Sequence, residues 1–343
     1  MSTVSIVKVE REEGELKGKV FEAVKRSMEL SDWRRHIHRG KDLFIKFSMP
    51  WCDFLLPGMC TTPWALEAVV EVVQNHVADI YLIEGIAAAK QSFRKGCRIN
   101  QYDRVAERYG KMRLRNVGLE PMVEVKVPEA RLSSIRLPKS VLEVGNYISV
   151  SPMKTHSVTG FTGALKNQFG VSHHKRILYH ICLDEVIATI NREIKPNFAV
   201  IDGTVSLEGQ GPANGESIER DLILSSPDLV AVDAVACRTM GINPEKIGHI
   251  TTSQRRGVGN MKAEVVGERA EDHVHRFKPA TPQGYAELMF WVRRQPVLGN
   301  FVFNYLWNLG TYAVKVYRDL WYIYKGRPDV REFLERSSYR EWQ

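Results

Sequence analysis

No CxxC pair occurs in the 343 residues. The five cysteines stand apart at 52, 60, 97, 182 and 237, so local spacing builds neither a zinc ribbon nor a ferredoxin-type cluster. An odd, scattered count fits a reducing compartment, and a cytoplasmic location is expected. The opening residues MSTVSIVKVEREEGE lack the basic and apolar regions of a secretory leader. The patterns GxxxxGK[ST] and GxGxxG are both missing, which leaves the standard nucleotide folds unsupported. Internal repeats and low-complexity segments are absent as well. The charge is not strongly one-sided: 48 Lys and Arg against 40 Asp and Glu leave +8. That surplus points to an anionic partner, but it is diffuse and no reader motif accompanies it, so nucleic acid is not expected.

What is present is a soluble, core-forming composition, 44% hydrophobic and 26% charged. Short apolar runs alternate with helical stretches. Strands are expected at Val4–Val9, Leu43–Phe47, Ile80–Ile83, Val123–Val127, Leu132–Leu137, Tyr147–Val150, Phe198–Ile201 and Leu222–Leu224. Helices are expected at Leu16–Leu30, Ala65–Val73 behind the Thr61-Thr62-Pro63 cap, Thr162–Phe169 and Lys175–Glu193. A further helix should start at Ser226-Pro227 and stop at Gly241. Ala88–Gly118, with six Arg, three Lys and no strong period, reads as an excursion from the core. The pattern predicts an α/β fold, a largely parallel sheet flanked by helices, over residues 1–278. Residues 279–343 read as a helical, aromatic and basic C-terminal extension.

In open parallel sheets ligands bind beyond the carboxyl ends of the strands. Those ends here carry Lys46, Glu84, Lys154-Thr155-His156 and Asp202. The segment Ser151–Gly170 adds Thr159, Gly160, Thr162, Gly163, Lys166 and Asn167. Its glycines expose backbone N–H groups, and a helix starting near Thr162 would turn its positive end toward a guest. The expectation is a site for an anionic small molecule, phosphate or carboxylate; a glycine-rich turn with a solvated lysine is the plainer reading. Asp202–Glu216 reads as a tight loop, in which Gly209 and Gly211 line the ligand and Asp202 and Glu208 offer oxygens to Mg²⁺ or another divalent metal. Asp233 falls in the apolar stripe of Leu229, Val232, Ala236 and Met240, so it needs a partner: Lys154, Lys166, a metal, or a purely structural pairing. Asp202, Glu208 and Asp233 are the candidate metal ligands, and His156, Lys166 and Asp202 the candidate proton-moving groups. His180 and Asp184 have helical metal-pair spacing, and Cys52 and Cys60 flank an apolar loop, but buried or incidental placement is the simpler account of both.

The ordered motifs KTHxxTGFTGALKNQFG, VIDGTVSLEGQGPANGE and SSPDLVAVDAVA, together with LFIK, CTTP and LIEG, resemble the family catalogued as domain of unknown function 362. The resemblance covers roughly residues 40 to 250. It implies a prokaryotic source and, for members fused to ferredoxin-like 4Fe–4S modules, a redox setting. No such module occurs here, so no iron–sulfur cluster is expected in this chain. The family's Lys-Pro-Asn after the first strand is Lys46-Phe47-Ser48 here, so only the lysine carries over. The resemblance names no reaction. Two classes therefore stay open: a binder of, or metal-assisted enzyme on, an anionic small molecule, and a non-catalytic redox or assembly partner of an iron–sulfur protein.

The extension contains 18 charge-free residues, Val297–Val314, in which Asn300, Asn304 and Asn308 make a poor spanning helix. Lys315, Arg318, Lys325 and Arg327 follow among Tyr317, Trp321, Tyr322 and Tyr324. Basic and aromatic residues around an amphipathic helix suit an anionic membrane surface, here the inner face. Docking on the core or in a homodimer is the other reading.

Overall fold

The computed structural model describes residues 1–11, 15–51, 53–85, 92–173, 176–281, 287, 291–292, 294–295 and 307–342. Cys52, His174, Asn300, Asn304 and most of the charge-free stretch lie outside them. The main sheet holds β1 (Ser2–Lys8), β2 (Leu43–Phe47), β3 (Ile80–Glu84), β4 (Met112–Asn116), β7 (Asn146–His156), β8 (Gly160–Thr162), β9 (Phe198–Gln210), β10 (Asn214–Ser226) and β11 (Ala263–Gly267). Its order is β11-β1-β10-β9-β7-β2-β3-β4, with β8 beside β7. Strands β4, β3, β2, β7 and β9 run parallel, β10 reverses against β9 and β1, and β1 is parallel to β11. Strands β5 (Met122–Lys126) and β6 (Ser134–Pro138) form a separate antiparallel pair.

Helices cover both faces, as an all-but-parallel sheet requires. On one face α1 (Leu16–Leu30) and α2 (Pro63–Val73) bury Val20, Val24, Met28, Leu66, Val69 and Val73 against Ile45, Ile148 and Val200. On the other, α6 (Ala164–Asn167), α7 (Leu183–Ile194), α8 (Leu229–Thr239) and α9 (Gly248–Arg255) cover Tyr147, Ala199, Ile201 and Leu224. Local signals set the helix ends. Thr62 Oγ1 accepts from Ala65 N at 3.3 Å with Pro63 at the first position of α2. Asp228, not Ser226, caps α8, its Oδ1 accepting from Val230 N and Ala231 N at 2.9 and 3.0 Å. Gly241 follows that helix at φ +69°, the left-handed stop its sequence predicts.

Three expectations need correction. The basic excursion contains α3 (Phe93–Ile99), α4 (Tyr102–Arg108) and the edge strand β4, whose charged residues suit an edge. Arg115, on that strand, lies over the rings of Phe44 and Tyr81. Asp202–Glu216 is no tight loop but most of the β9–β10 hairpin. Its glycines 203 and 215 sit where the bare α-carbon lies against the carbonyls of Leu222 and Glu208. The long helix expected from Lys175 is a 3₁₀ stretch, Arg176–Cys182, before α7 begins.

The C-terminal helices are α10 (Trp307–Trp321), a π-turn Tyr322–Gly326 and α11 (Arg327–Arg336). They dock on the core. Arg318 is buried with its guanidinium 4.1 Å from the Trp51 ring centre and 3.0 Å from Asp53. Tyr322 stacks on Phe54 at 3.9 Å and donates to Leu55 O at 3.1 Å. Tyr339, buried, donates to Asp221 at 2.7 Å. No helix among the described residues is long and apolar enough to cross a membrane. Tyr339→Phe should lower stability by about 1 kcal/mol and Tyr339→Ala by about 3–5 kcal/mol in urea unfolding, if this arm is part of the cooperative core.

Candidate functional site

At the carboxyl ends of β2 and β3, register places Lys46 beside Ile83, one residue before Glu84. Lys46 Nζ donates to Glu84 Oε2 at 2.9 Å, Asn167 Oδ1 at 3.0 Å and Phe47 O at 2.6 Å. An ammonium has three protons, so this one is fully used. Glu84 also accepts from Met49 N at 2.9 Å and Gly85 N at 2.8 Å. Asn167 Nδ2 returns bonds to Lys46 O, Ser149 Oγ and Val150 O at 2.8–3.2 Å. Burial pulls the Lys46 pKa down, against the pull of Glu84. The three residues come together as expected, but they bind one another and tie β2, β3, β7 and α6 into one unit.

Each candidate metal ligand has its own company. Asp202 accepts from Thr62 N at 2.8 Å, Thr204 Oγ1 at 2.6 Å and Thr204 N at 3.2 Å, and burial pushes its pKa up. Glu208 faces Lys278 at 3.2 Å and His275 at 3.6 Å. Asp233 accepts from Ala164 N at 2.6 Å and Leu165 N at 2.9 Å. The structure does not gather the three acids, and no group of three His, Cys, Asp or Glu suited to a metal exists among the described residues. Asp233 is thus the anion that satisfies the start of α6: the two leading amides that would have met a guest are taken by the chain's own carboxylate. Gly163 is required there, because a Cβ would run into Asp233 Oδ1. Burial pushes the Asp233 pKa up to about 7 despite those amides.

The remaining glycines and threonines mostly close backbone on backbone. Thr155 Oγ1 donates to Gly209 O at 2.9 Å and Leu207 O at 3.3 Å, and a Cβ on Gly211 would strike the Thr155 carbonyl. Gly209, at φ +76°, donates its N–H to Lys278 O at 2.9 Å. Thr159 Oγ1 donates to Phe161 O at 2.9 Å, and Gly160 makes the β7–β8 turn at φ +73°.

Lys154, His156 and Lys166 are different. Strand β7 runs past β2, so Lys154 lies beyond the sheet edge, opposite Thr162 on β8 and Leu207 on β9. Lys154 is buried, and its only partner among the described residues is the carbonyl of Met59. Burial lowers its pKa to about 8; Cys60 and Glu84 pull upward and Lys46 downward. Lys166, half-buried, has no carboxylate partner among the described residues, and burial, Lys154 and Arg176 drive its pKa well down. His156 Nδ1 accepts from Val158 N at 3.0 Å and Thr159 N at 3.4 Å, which leaves the proton of the neutral ring on Nε2. Burial first, then Lys166, Lys154, His180 and His249, push its pKa well below the ordinary value.

Sequence reasoning missed Arg176 and His249. The His249 ring lies parallel to Phe161, with centres 6.3 Å apart, and among the described residues neither of its buried nitrogens has a hydrogen bond. Its pKa falls to about 3 through burial and then Lys166. The hydroxyls of Ser151 and Thr162 are likewise buried without partners among the described residues. No spacing in the chain connects His249 with Lys166, which lie 83 residues apart in number and meet only through the packing of α6 and α9.

The family model described as Domain of unknown function (DUF362) matches residues 44–238. The chain belongs to that family. The Lys46–Glu84–Asn167 unit, Asp202, Asp233, Lys154, His156 and Lys166 all fall inside the matched span. Over 139 residues this DUF362 chain is 27% identical to the thylakoid-associated protein sll1697 of Synechocystis sp., covering 38% of this chain and 43% of that relative. Among solved structures, it is similar to a lactate racemase apoprotein from Thermoanaerobacterium thermosaccharolyticum at TM-score 0.41 and 12% identity, over 74% of this chain and 57% of the other. A Thermotoga maritima protein gives TM-score 0.41 and 11% identity over 70% and 59%.

Two outcomes follow for the acids and the staple. Lys46→Met should cost about 3–5 kcal/mol in denaturant unfolding, because Glu84 is left buried and unpaired. Asp233 has a folded pKa of about 7, above its ordinary 3.8, so the stability linked to it is complete below 3.8 and is lost as pH rises from there to about 7. That loss should be missing from the pH–stability curve of Asp233→Asn.

Proposed function

We propose that this protein binds a small oxyanion, a phosphate or a carboxylate group, among Lys154, Lys166 and His156 at the carboxyl edge of the sheet. One observation carries the reading: two lysines buried in part or whole near each other, with no carboxylate against either one among the described residues. A buried, unpaired cation is costly, and a bound anion is the direct remedy. The neighbouring groups suit an anion. His156 in its neutral form offers Nε2–H, Thr162 has a hydroxyl without a partner among the described residues, and Arg176 is close enough to repel Lys166. Asp202 and Asp233 are taken up by backbone amides, so in this reading they leave the oxyanion to the cations.

The linkage gives the sign. Lys154 has a folded pKa near 8, below its ordinary 10.5, so the free protein should gain stability as pH rises from 8 toward 10.5. An anion favours the charged forms of Lys154 and Lys166, so binding should take up protons, and for Lys154 chiefly at pH 8 and above, where the free protein is losing that proton. Titration calorimetry with inorganic phosphate and with small carboxylates, in buffers of different ionisation enthalpy, measures that uptake. Binding should be abolished in Lys166→Met and Lys154→Met, while Lys154→Met raises the melting temperature of the free protein by removing a buried charge. Heats that are absent for every oxyanion, or unchanged in both variants, would overturn the reading.

A further inference from the structure

The C-terminal arm has two sides. One is the seat on the core, made by Arg318, Tyr322, Phe333 and Leu334 against Trp51, Phe54 and neighbouring core residues. The other carries Tyr312, Val316, Leu320, Ile323 and Tyr324, between 41% and 80% exposed. Positions 312, 316 and 320 recur at helical spacing and 323 continues them, so they form one row down the solvent side. The row runs into a charged surface. Ile323 lines a shallow groove of about 440 Å³ with Arg327 and Arg331, beside Glu332 and Glu335. From Tyr312 to Arg331 there are five basic residues and two acidic ones. Among the described residues Lys325, Arg327 and Arg331 are exposed and make no ion pair; of the acids nearby, Asp319 is held by Lys315 and Arg318 and Glu332 by Arg336, while Asp329 and Glu335 make none.

We propose that this row docks on the surface of an anionic lipid bilayer. The chemistry favours lipid over a second protein. Tyrosines with aliphatic neighbours suit the depth of the headgroup region, where the ring is apolar and the hydroxyl wet. The free cations lie at one end of the same row, where anionic headgroups would meet them. The arm's other side is occupied by the core, so the helix lies along the surface and does not enter it. This surface keeps Tyr324, Lys325 and Arg327 of the segment that the sequence singled out, leaves Arg318 and Tyr322 to the core, and shares no residue with the oxyanion site.

Flotation of the full chain with vesicles tests it. The protein should float with mixed phosphatidylglycerol–phosphatidylcholine vesicles, stay behind with pure phosphatidylcholine, and be released by high salt. The triple variant Tyr312→Ser, Leu320→Ser, Ile323→Ser should lose roughly tenfold or more of the bound fraction, since it removes apolar area but no core contact. Arg327→Glu with Arg331→Glu should also fail to float. Both should keep the wild-type circular dichroism and phosphate heats, so a failure here is separate from a failure of the oxyanion pocket. The proposal is overturned if the wild type ignores anionic vesicles, if the triple variant floats as well as the wild type, or if light scattering shows a dimer that the triple variant abolishes.

Discussion

An ammonium group taken out of water must meet negative charge or give up its proton, and the carboxyl edge of this sheet contains both answers. Lys46 meets Glu84 and an amide oxygen, and the arrangement pins three strands and a helix. Lys154 and Lys166 meet no carboxylate among the described residues, and their pKa values fall. The difference comes from how far the strands reach. Lys46 and Glu84 end adjacent parallel strands of equal length, so their side chains meet. Strand β7 runs on beyond its neighbour, and the lysine it carries passes the acids that could have neutralised it. A structural ion pair and an empty-handed cation thus arise from one parallel array.

The same edge divides its acids by burial. Asp202 and Asp233 are enclosed, and each accepts backbone N–H groups at the start of a helix. They hold α2 and α6 against the sheet, and their negative charge is consumed in doing so. For the oxyanion proposed above, that would leave Lys154 and Lys166 as the charges to meet, without these two carboxylates competing at the same atoms.

Most of the scaffold was legible from periodicity and caps. The strand over Leu43–Phe47, the helix over Leu16–Leu30 and the Thr62-Pro63 start all appear where the residues place them. The glycines misled, because a glycine that permits a turn also permits close strand contact, and the chain alone does not distinguish the two. Residues 203 and 215 are of the second kind, so an apparent loop is a hairpin. The candidate site was legible in type and only partly in arrangement. Lys46, Glu84, Lys154, His156 and Asp202 were readable as polar strand ends, Lys166 as part of the glycine-rich segment and Asp233 as an acid in an apolar helix stripe. That Asp233 would face an amide pair and not a lysine depends on how α8 packs on α6, a long-range fact. His249 and Arg176 carried no local signal at all. The aromatic arm could be seen as amphipathic, but which side it turns to the core was decided by Phe54 and Asp53, more than 250 residues earlier in the chain.

The stretch from Ser48 to Thr62 has a role in both halves of the molecule. Its Asp53, Phe54 and Leu55 receive Arg318 and Tyr322. Its Met49, Met59 and Thr62 supply groups to Glu84, Lys154 and Asp202. A strap fastened at both sides cannot be loosened at one without changing its tension at the other. Free-energy changes for substitutions under the arm and at the sheet edge will therefore fail to sum, although the residues themselves never touch.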